Sequence, residues 1–204
     1  AGFQVNTHAI GDNANKVVLD NYEQLIAETS SRDLRHRVEH AQILRYEDIL
    51  RFAELGVIPS MQATHATSDK NMAVDRIGDV RIQGAYAWRK LIDAGALIAN
   101  GSDFPVESPN PFFGLHAAIT RQDKNNQPPG GWLPEEKMTA IEAFASFTID
   151  AAYSGHQEKL LGTLESGKKA DFIILDRDLF VIDETEIWEI EVEETWVDGQ
   201  RITN

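Results

Sequence analysis

The sequence predicts an α/β fold organised around a parallel sheet. Short strand-like segments alternate with longer helical segments through residues 1–161, and this order produces parallel strands joined by helical crossovers. The 204 residues are 42% hydrophobic and 25% charged, which is typical of a globular chain with a buried core. Four such units correspond to half of an eight-stranded (β/α)8 barrel, which needs roughly 250 residues. An open dinucleotide-binding sheet is disfavoured because no G-x-G-x-x-G loop follows any predicted strand.

The first two β/α units are defined by side-chain periodicity and by a helix stop. Residues 4–8 alternate apolar and polar side chains, which indicates a strand, and residues 13–29 carry apolar side chains at helical spacing. A second strand is predicted at 36–42. The helix that follows, at 46–55, ends at Gly56, because glycine is typical of helix C-termini.

The next two units contain a longer irregular stretch. Residues 63–83 are polar and indicate a long loop with some helix. Thr139 and Glu142 are spaced for a capping box, which sets the start of the last helix. The remaining elements are predicted as strands at 57–62 and 96–100 and as helices at 84–94, 111–121 and 139–153.

The pattern changes after residue 161, so the sequence predicts a second domain at 162–204 that follows the barrel part at 1–161. Residues 170–175 form an apolar strand, and an Asp-Gly turn near 198–199 indicates a hairpin. Ten acids and one base lie between Asp176 and Asp198. We expect the acidic stretch at 183–194 to be mainly exposed, because carboxylates are costly to bury without partners.

Composition excludes several classes of protein. The net charge of −14, from 19 basic and 33 acidic residues, argues against nucleic acid as a partner, since phosphate backbones attract clustered Lys and Arg. No run of apolar residues approaches the roughly 18 that a membrane span needs. The absence of cysteine excludes disulfides, a thiolate zinc site and a cysteine nucleophile.

Chemistry-bearing side chains occur at four successive strand ends. His8 ends the first predicted strand, His40 ends the second, His65 follows the third and Asp103 follows the fourth. These ends converge at one edge of a parallel sheet, and imidazole and carboxylate groups there are ligands for Zn²⁺ or a similar ion. A single histidine in such a position is more often a hydrogen-bonded structural residue. The recurrence at four strands is what predicts a metal site.

A competing pattern overlaps the second strand. Residues 36–40 read H-R-V-E-H and match the H-x-x-E-H zinc-protease pattern of His36, Glu39 and His40. That pattern needs a helix, so that the two histidines share a face, whereas the periodicity here favours a strand. A zinc protease is therefore a minor alternative. His36 is expected at the surface, and His116 and His156 are expected to be structural.

Six motifs follow one another along nearly the whole chain. They are NTHAIGD at 6–12, RVEHAQ at 37–42, MQATH at 61–65, NGSDFPV at 100–106, ADFIILD at 170–176 and TWVDG at 195–199. Together they resemble the amidohydrolase superfamily. The branch that they resemble most is the family-3 amidohydrolases, which include N-substituted formamide deformylase-like enzymes.

The resemblance implies a metal-dependent (β/α)8 TIM barrel with a small β-sandwich, of which this chain supplies the C-terminal half. It implies that His8 and His40 bind the metal and that Asp103 binds metal and acts as general base. The implied cofactor is one or two divalent ions, zinc foremost. The implied reaction is hydrolysis of an amide, formamide or cyclic amide in a small molecule. The residues that match the substrate-facing segment are His65, Arg76, Arg81 and Tyr86.

The chain also departs from the family pattern. The family's H-x-H pair and its strand-four lysine have no counterpart, and the chain opens inside a strand without Met. We therefore expect a piece of a longer protein, completed by a missing N-terminal half or by a second copy, with weak metal binding and little activity on its own. The alternative is a non-enzymatic assembly module that folds only with a partner half, because four units leave two unpaired strand edges.

Overall fold

The computed structural model describes residues 2–202, which form two separate sheets. The first sheet is parallel, with its strands in sequence order. Its strands are β1 (Asn6–Ala9), β2 (Arg37–His40), β3 (Ile58–Met61) and β4 (Ala99–Asn100). The second sheet is antiparallel and contains β5 (Phe172–Leu175), β6 (Val192–Val197) and β7 (Gln200–Ile202).

Helices connect the parallel strands and cover the sheet. They are α1 (Asp12–Thr29), α2 (Tyr46–Leu55), α3 (Ala63–Asp69), α4 (Ala73–Arg81), α5 (Trp88–Asp93), α6 (Pro111–Thr120), α7 (Ala140–Phe147) and α8 (Ile149–Ser154). Each parallel strand is followed by at least one helix before the next strand begins. The predicted α/β class, with four β/α units around a parallel sheet, is therefore confirmed.

The core lies between the parallel sheet and its helices. Val38 of β2 and Met61 of β3 are buried, and Leu19 of α1 and Phe52 of α2 belong to the same buried cluster. Burying one such side chain stabilises the fold by about 1.5–3 kcal/mol. The predicted end of α2 is confirmed, because Gly56 adopts a left-handed φ of 66° there.

The predicted loop at 63–83 contains more helix than the polar pattern indicated. It folds into α3 and α4, and α4 is kinked at Gly78, whose φ of 74° and ψ of 170° are not helical. The strands predicted at 36–42 and 57–62 pair with neighbours only at their centres, whereas the first predicted strand is shifted to Asn6–Ala9 and the fourth is reduced to Ala99–Asn100. The helix predicted at 139–153 is interrupted at Thr148, which separates α7 from α8.

The helix predicted at 84–94 begins later, at Trp88, because its first residues pair with another segment. Leu44 N–H donates to the Gly84 carbonyl at 2.8 Å, and Tyr86 N–H donates to the Gln42 carbonyl at 2.7 Å. Only glycine fits at position 84, since a Cβ atom there would lie 1.9 Å from the Leu44 carbonyl oxygen. This pairing fixes the segment that follows β2.

The C-terminal strands form the predicted hairpin, with the turn at Asp198 and Gly199 between β6 and β7. The acids of the 183–194 stretch are mainly exposed, as expected. The apolar side chains of the connection between β5 and β6 behave differently. Leu179, Ile187 and Ile190 are buried in the main core, and the 3-10 helix at Glu184–Glu189 packs on α6. The division at 161/162 stays a prediction.

Within residues 2–202, no helix is both long enough and apolar enough to cross a lipid bilayer.

Candidate metal centre

Three metal-ligating side chains meet at the carboxyl ends of the parallel strands. His40 is the last residue of β2, His65 lies in the first turn of α3 directly after β3, and Asp103 follows β4. One nitrogen or oxygen of each lies within 4.8 Å of those of the other two. His65 Nε2 and Asp103 Oδ2 are 3.8 Å apart. Two imidazole nitrogens and a carboxylate oxygen are a common ligand set for zinc.

The burial and the hydrogen bonding of His65 are those expected of a metal ligand. Its Nε2 atom is buried and has no hydrogen-bond partner within the described range 2–202. Leaving a buried polar atom unpaired costs about 1–3 kcal/mol, unless a bound group takes its lone pair. Burial also lowers the pKa of His65, which favours the neutral imidazole that binds metal.

His40 is oriented by a neighbouring amide. Its Nδ1 lies 2.8 Å from Oε1 of Gln62, and the amide nitrogen of Gln62 donates to the Ser60 carbonyl at 3.3 Å. The amide oxygen therefore faces His40, which assigns the proton to Nδ1. The lone pair of His40 Nε2 remains for a ligand, and such a partner typically raises metal affinity roughly 10–100-fold.

The backbone is strained at the same place. His40, Ala41 and Asp103 have φ values of 80°, 45° and 57°, in the left-handed region that residues with a Cβ atom avoid. Each such residue costs about 1–3 kcal/mol, and strain of this kind clusters at functional sites. The chain turns sharply after β2 and β4, and these turns bring His40 and Asp103 towards each other.

His8 lies beside this cluster on the neighbouring strand. Ala9 of β1 is in register with His40, and the rings of His8 and His40 meet edge to face with centroids 4.5 Å apart. His8 is exposed and is not one of the three residues with mutually close donor atoms. Its assignment as a metal ligand stays a prediction.

The remaining predicted substrate-binding residues have other surroundings. Arg76 is exposed on α4. Arg81 makes a two-pronged ion pair with Asp12, with contacts of 2.8 and 2.9 Å. Tyr86 is only 1% exposed, and its hydroxyl donates to a carboxylate oxygen of Asp69. A role of these residues in substrate binding stays a prediction.

The zinc-protease alternative is wrong. His40 belongs to a strand and His36 precedes it, so the two are about 13 Å apart along an extended chain. Glu39 pairs with Arg37 at 3.0 Å. The expected surface position of His36 is also wrong, since it is 1% exposed and accepts a hydrogen bond from Val5 N–H at 3.1 Å.

The other two histidines have structural surroundings. His116 is buried on α6, with its Nε2 3.0 Å from the side-chain oxygen of Asn126. His156 Nε2 lies 3.1 Å from the Leu34 carbonyl oxygen. Both arrangements agree with the structural role that was expected.

Sequence reasoning missed two residues of the centre. Gln62 orients His40, and the signal was its position at the end of β3, one strand over from His40. Glu107 contributes a negative charge that partly opposes the lowering of the His65 pKa, and Ser68 donates to it at 2.6 Å. Glu107 lies in a loop whose path the sequence pattern did not predict.

Two cavities share Thr64, the residue before His65, and Ser108 in their linings, and neither is lined by His40, His65 or Asp103. One has a volume of about 390 Å³ and is lined by residues of α3 and α6, with Glu107 and Trp188. The other, of about 220 Å³, lies between the turn after β4 and the start of α6. Thr64 Oγ1 is buried without a hydrogen-bond partner among the described residues.

The sheet, its helical crossovers and the donor cluster define the class of protein: an α/β chain with a candidate metal centre at the carboxyl ends of its parallel strands. More specifically, a family model described as the amidohydrolase family matches residues 1–203, and the chain belongs to this family.

Three curated relatives are similar to nearly all of the chain. Protein LONG AFTER FAR-RED 3 of Arabidopsis thaliana is 37% identical over 179 residues, which are 86% of this chain and 30% of that protein. Putative amidohydrolase YtcJ of Bacillus subtilis (strain 168) is 34% identical over 98% of this chain and 37% of its own length. N-substituted formamide deformylase of Arthrobacter pascens is 28% identical over 97% of this chain and 36% of its own length. The chain thus spans about a third of the length of these relatives.

Solved structures show the same fold. An uncharacterized metal-dependent hydrolase from Pyrococcus furiosus has a TM-score of 0.72 and 34% identity, over 87% of this chain and 34% of that one. Atrazine chlorohydrolase TrzN from Arthrobacter aurescens TC1, complexed with zinc, has a TM-score of 0.64 and 20% identity. This likeness covers 98% of this chain and 44% of that one. The second likeness concerns the fold alone.

Proposed function

We propose that this chain supplies a metal centre and a general base to a hydrolase of non-peptide carbon–nitrogen bonds. The observation that carries the proposal is the cluster of His40, His65 and Asp103 at the carboxyl ends of three adjacent strands. The substrate is a small molecule with an amide, formamide or cyclic amide bond. Similarity to N-substituted formamide deformylase supports this choice of bond.

A divalent ion, zinc foremost, would be held by His40, His65 and Asp103, with His8 beside His40 as a further ligand. The buried and unpaired Nε2 atom of His65 supports this assignment. The orientation of His40 by Gln62 supports it as well. A divalent ion in such a site acts as a Lewis acid, which polarises a carbonyl and lowers the pKa of water from 15.7 to about 7.

Asp103 acts as the general base and acid. Its carboxylate is exposed at the end of β4, where it accepts a hydrogen bond from the attacking water and takes its proton. It returns that proton to the leaving nitrogen. Without this return the amine leaves as an anion, which is far too basic to be expelled near neutral pH.

Of the proposed substrate-facing side chains, Arg76 is the one that is exposed and would not have to break an ion pair or hydrogen bond within residues 2–202. Its guanidinium is exposed, whereas Arg81 has to leave its ion pair with Asp12. Tyr86 has to give up its hydrogen bond to Asp69. A positive charge that stabilises the tetrahedral oxyanion is worth about 3 kcal/mol. The cavity of about 390 Å³ has the size of a small-molecule site, and its lining includes Thr64, the residue before His65, but not His65 itself.

A partner completes the barrel in this proposal: an upstream half or a second copy of the chain. β1 and β4 are the edge strands of the parallel sheet, and the apolar residues around β1 are exposed, with Phe3 at 76%. The same exposure favours the second candidate function, a non-enzymatic assembly module. Size-exclusion chromatography with light scattering separates a monomer from a dimer.

Zinc titration of the 204-residue chain tests the metal centre. We expect His40→Ala and Asp103→Asn each to lower zinc affinity at least tenfold, because each removes a donor. His156→Ala is the matched control, since its imidazole lies against the Leu34 carbonyl, away from the cluster. Unchanged affinity in both site variants contradicts the proposal. Hydrolysis of simple N-formyl amines, with and without zinc, tests the choice of bond.

A further inference from the structure

We infer that Asp69 is a positioning residue for this centre: through Tyr86 and Gln42 it fixes the rotation of α3 and so aims His65 at His40 and Asp103. The inference rests on the proposed metal-binding role of His65. It assigns Asp69 and Gln42 a role that the motifs did not indicate, and it gives Tyr86 a role other than substrate contact.

The first step concerns the position of Asp69 on α3. Asp69 follows His65 by four residues, so the two side chains lie on the same face of the helix, one turn apart. The residue before the helix, Gln62, holds Nδ1 of His40, and the rings of His40 and His65 stack with centroids 5.8 Å apart. The face of α3 that carries His65 is thus the face that Asp69 anchors.

The second step concerns what Asp69 contacts. One carboxylate oxygen, Oδ2, accepts from the Tyr86 hydroxyl and from the Gln42 amide, the latter at 3.2 Å. Gln42 also donates to the Tyr86 oxygen, so the three side chains form a closed set. Both partners are buried. Burial, followed by the nearby carboxylate, raises the pKa of Tyr86, which therefore stays protonated and remains a donor.

The third step concerns the rigidity of the anchor. Gln42 lies two residues after His40, and its backbone carbonyl accepts from Tyr86 N–H at 2.7 Å. The Tyr86 carbonyl accepts from the guanidinium of Arg121, which is fully buried and stacks on Trp88 at 4.2 Å. Gln42 and Tyr86 therefore form a fixed platform directly connected to the His40 end of β2.

The fourth step concerns the need for an anchor. A helix of seven residues is too short to be stable by itself, so side-chain contacts set its position. Besides the packing of Ala63 and Ala66 in the core, two further polar contacts hold α3: the ion pair of Lys70 with Asp123 at 2.7 Å and the hydrogen bond of Ser68 to Glu107. They hold the neighbouring residues of the last turn. Asp69 is the anchor that ties the His65 face to the β2 platform.

The experiment uses the 204-residue chain with and without zinc, in the variants Asp69→Ala and Tyr86→Phe. In the zinc-free chain the nuclear Overhauser effect between the ring protons of His40 and His65 reports their stacking. We expect Asp69→Ala to abolish this signal and Tyr86→Phe to weaken it. With zinc, we expect affinity to fall about tenfold in Asp69→Ala, the low end of what orienting partners contribute.

A double-mutant cycle separates positioning from general stability. In a His65→Ala background, Asp69→Ala should lower zinc affinity no further, since the residue that it aims is gone. Asp48→Asn is the matched control. Asp48 forms an ion pair with Arg51 on α2, so this variant also removes a paired carboxylate, but it should leave the ring signal and the zinc affinity unchanged. If Asp69→Ala fails to fold, Tyr86→Phe and Gln42→Ala carry the test with the carboxylate intact.

Two results overturn the inference. One is a ring signal and zinc affinity within twofold of wild type in both Asp69→Ala and Tyr86→Phe. The other is an equal loss of zinc affinity in the His65→Ala background. A wild-type chain that binds no zinc contradicts the proposed function instead. In that case the ring signal alone decides: its loss in Asp69→Ala but not in Asp48→Asn supports the positioning role, and its retention overturns that role.

Discussion

Two buried histidines show how hydrogen bonding separates a structural imidazole from one that is offered to a ligand. Burial lowers the pKa of both His36 and His65. The nitrogens of His36 are both engaged, Nδ1 by Val5 N–H at 3.1 Å and Nε2 by the Ser31 hydroxyl at 3.2 Å. His65 keeps a buried Nε2 without a partner in the described chain. Burial alone therefore does not mark a functional histidine.

His36 gives a pH prediction for the zinc-free chain. Its folded-state pKa is lowered from 6.5, so the unfolded chain takes up the proton first as the pH falls. Protonation also places a hydrogen on Nδ1, against Val5 N–H. We expect the free energy of unfolding to decrease as pH falls below about 6.5, and His36→Gln to reduce that dependence. Urea denaturation near neutral and mildly acidic pH measures it, with His156→Gln as control. An identical pH dependence in His36→Gln and wild type contradicts the prediction.

At the scale of elements, short helices depend on local anchors at their ends. α7 begins with a capping box in which Glu142 N–H donates to the Thr139 hydroxyl at 3.3 Å and Thr139 N–H donates to the Glu142 carboxylate at 2.8 Å. Arg89 also donates to that carboxylate at 2.9 Å and lowers the pKa of Glu142 to about 2. The carboxylate therefore stays ionised and keeps both contacts over the ordinary pH range.

The capping box predicts the effect of one substitution. Thr139→Ala removes the oxygen that accepts from the Glu142 N–H, so it should lower the free energy of unfolding by about 1 kcal/mol. Chemical denaturation measures the change. Thr29→Ala is the control, because it removes an exposed hydroxyl at the end of α1 that caps no N–H group. Equal losses in the two variants contradict a specific role of the cap.

The contact of Gly84 with Leu44 predicts a larger effect. Gly84→Ala forces a Cβ atom to within 1.9 Å of the Leu44 carbonyl oxygen, so the backbone has to move and the hydrogen bond between these residues is lost. We expect a loss of about 1–3 kcal/mol, as for overpacked interiors. Gly155→Ala is the control, since the nearest atom there is 3.7 Å away. A thermal unfolding midpoint equal to that of the control counts against the close contact.

The positions of His40 and Asp103 at strand ends were sufficient to predict that these residues approach each other, because the carboxyl ends of parallel strands meet at one edge of the sheet. They could not predict that His65, and not His8, has its donor atom within 4.8 Å of the donor atoms of both His40 and Asp103. That arrangement depends on α3 starting directly after β3, within a polar stretch that reads as loop. The late start of α5 at Trp88 was equally hidden, since it depends on pairing between segments some forty residues apart.

At the scale of the whole molecule, the fold is open on one side. The parallel sheet ends at β1 and β4, and the apolar residues Val5 and Ile10 are exposed around its first strand. Unpaired edges of this kind favour association. An open site also admits water, which weakens the electrostatic stabilisation on which hydrolysis relies.

Because the fold is open on one side, the 204-residue chain is expected to be a poor metal-binding protein and a poor catalyst by itself. We expect weak zinc binding and hydrolysis of N-formyl amines far below about 1 s⁻¹, the low end of typical enzyme rates. Zinc titration and amine release on the purified chain measure both quantities. Tight stoichiometric zinc with turnover at or above that rate contradicts the expectation and indicates that the chain, alone or as a dimer, forms a complete site.

The burial of Leu179, Ile187 and Ile190 against the main core has a consequence for how this architecture diversifies. A recombination event that exchanges everything after residue 161 also removes these three side chains and uncovers α6. An exchange that preserves the core has to keep the connection between β5 and β6 and replace only the strands on either side. We therefore expect the hairpin of β6 and β7 to be the part of this tail that can be exchanged at least cost to the core, whereas the acidic connection has to stay with the parallel sheet and its helices.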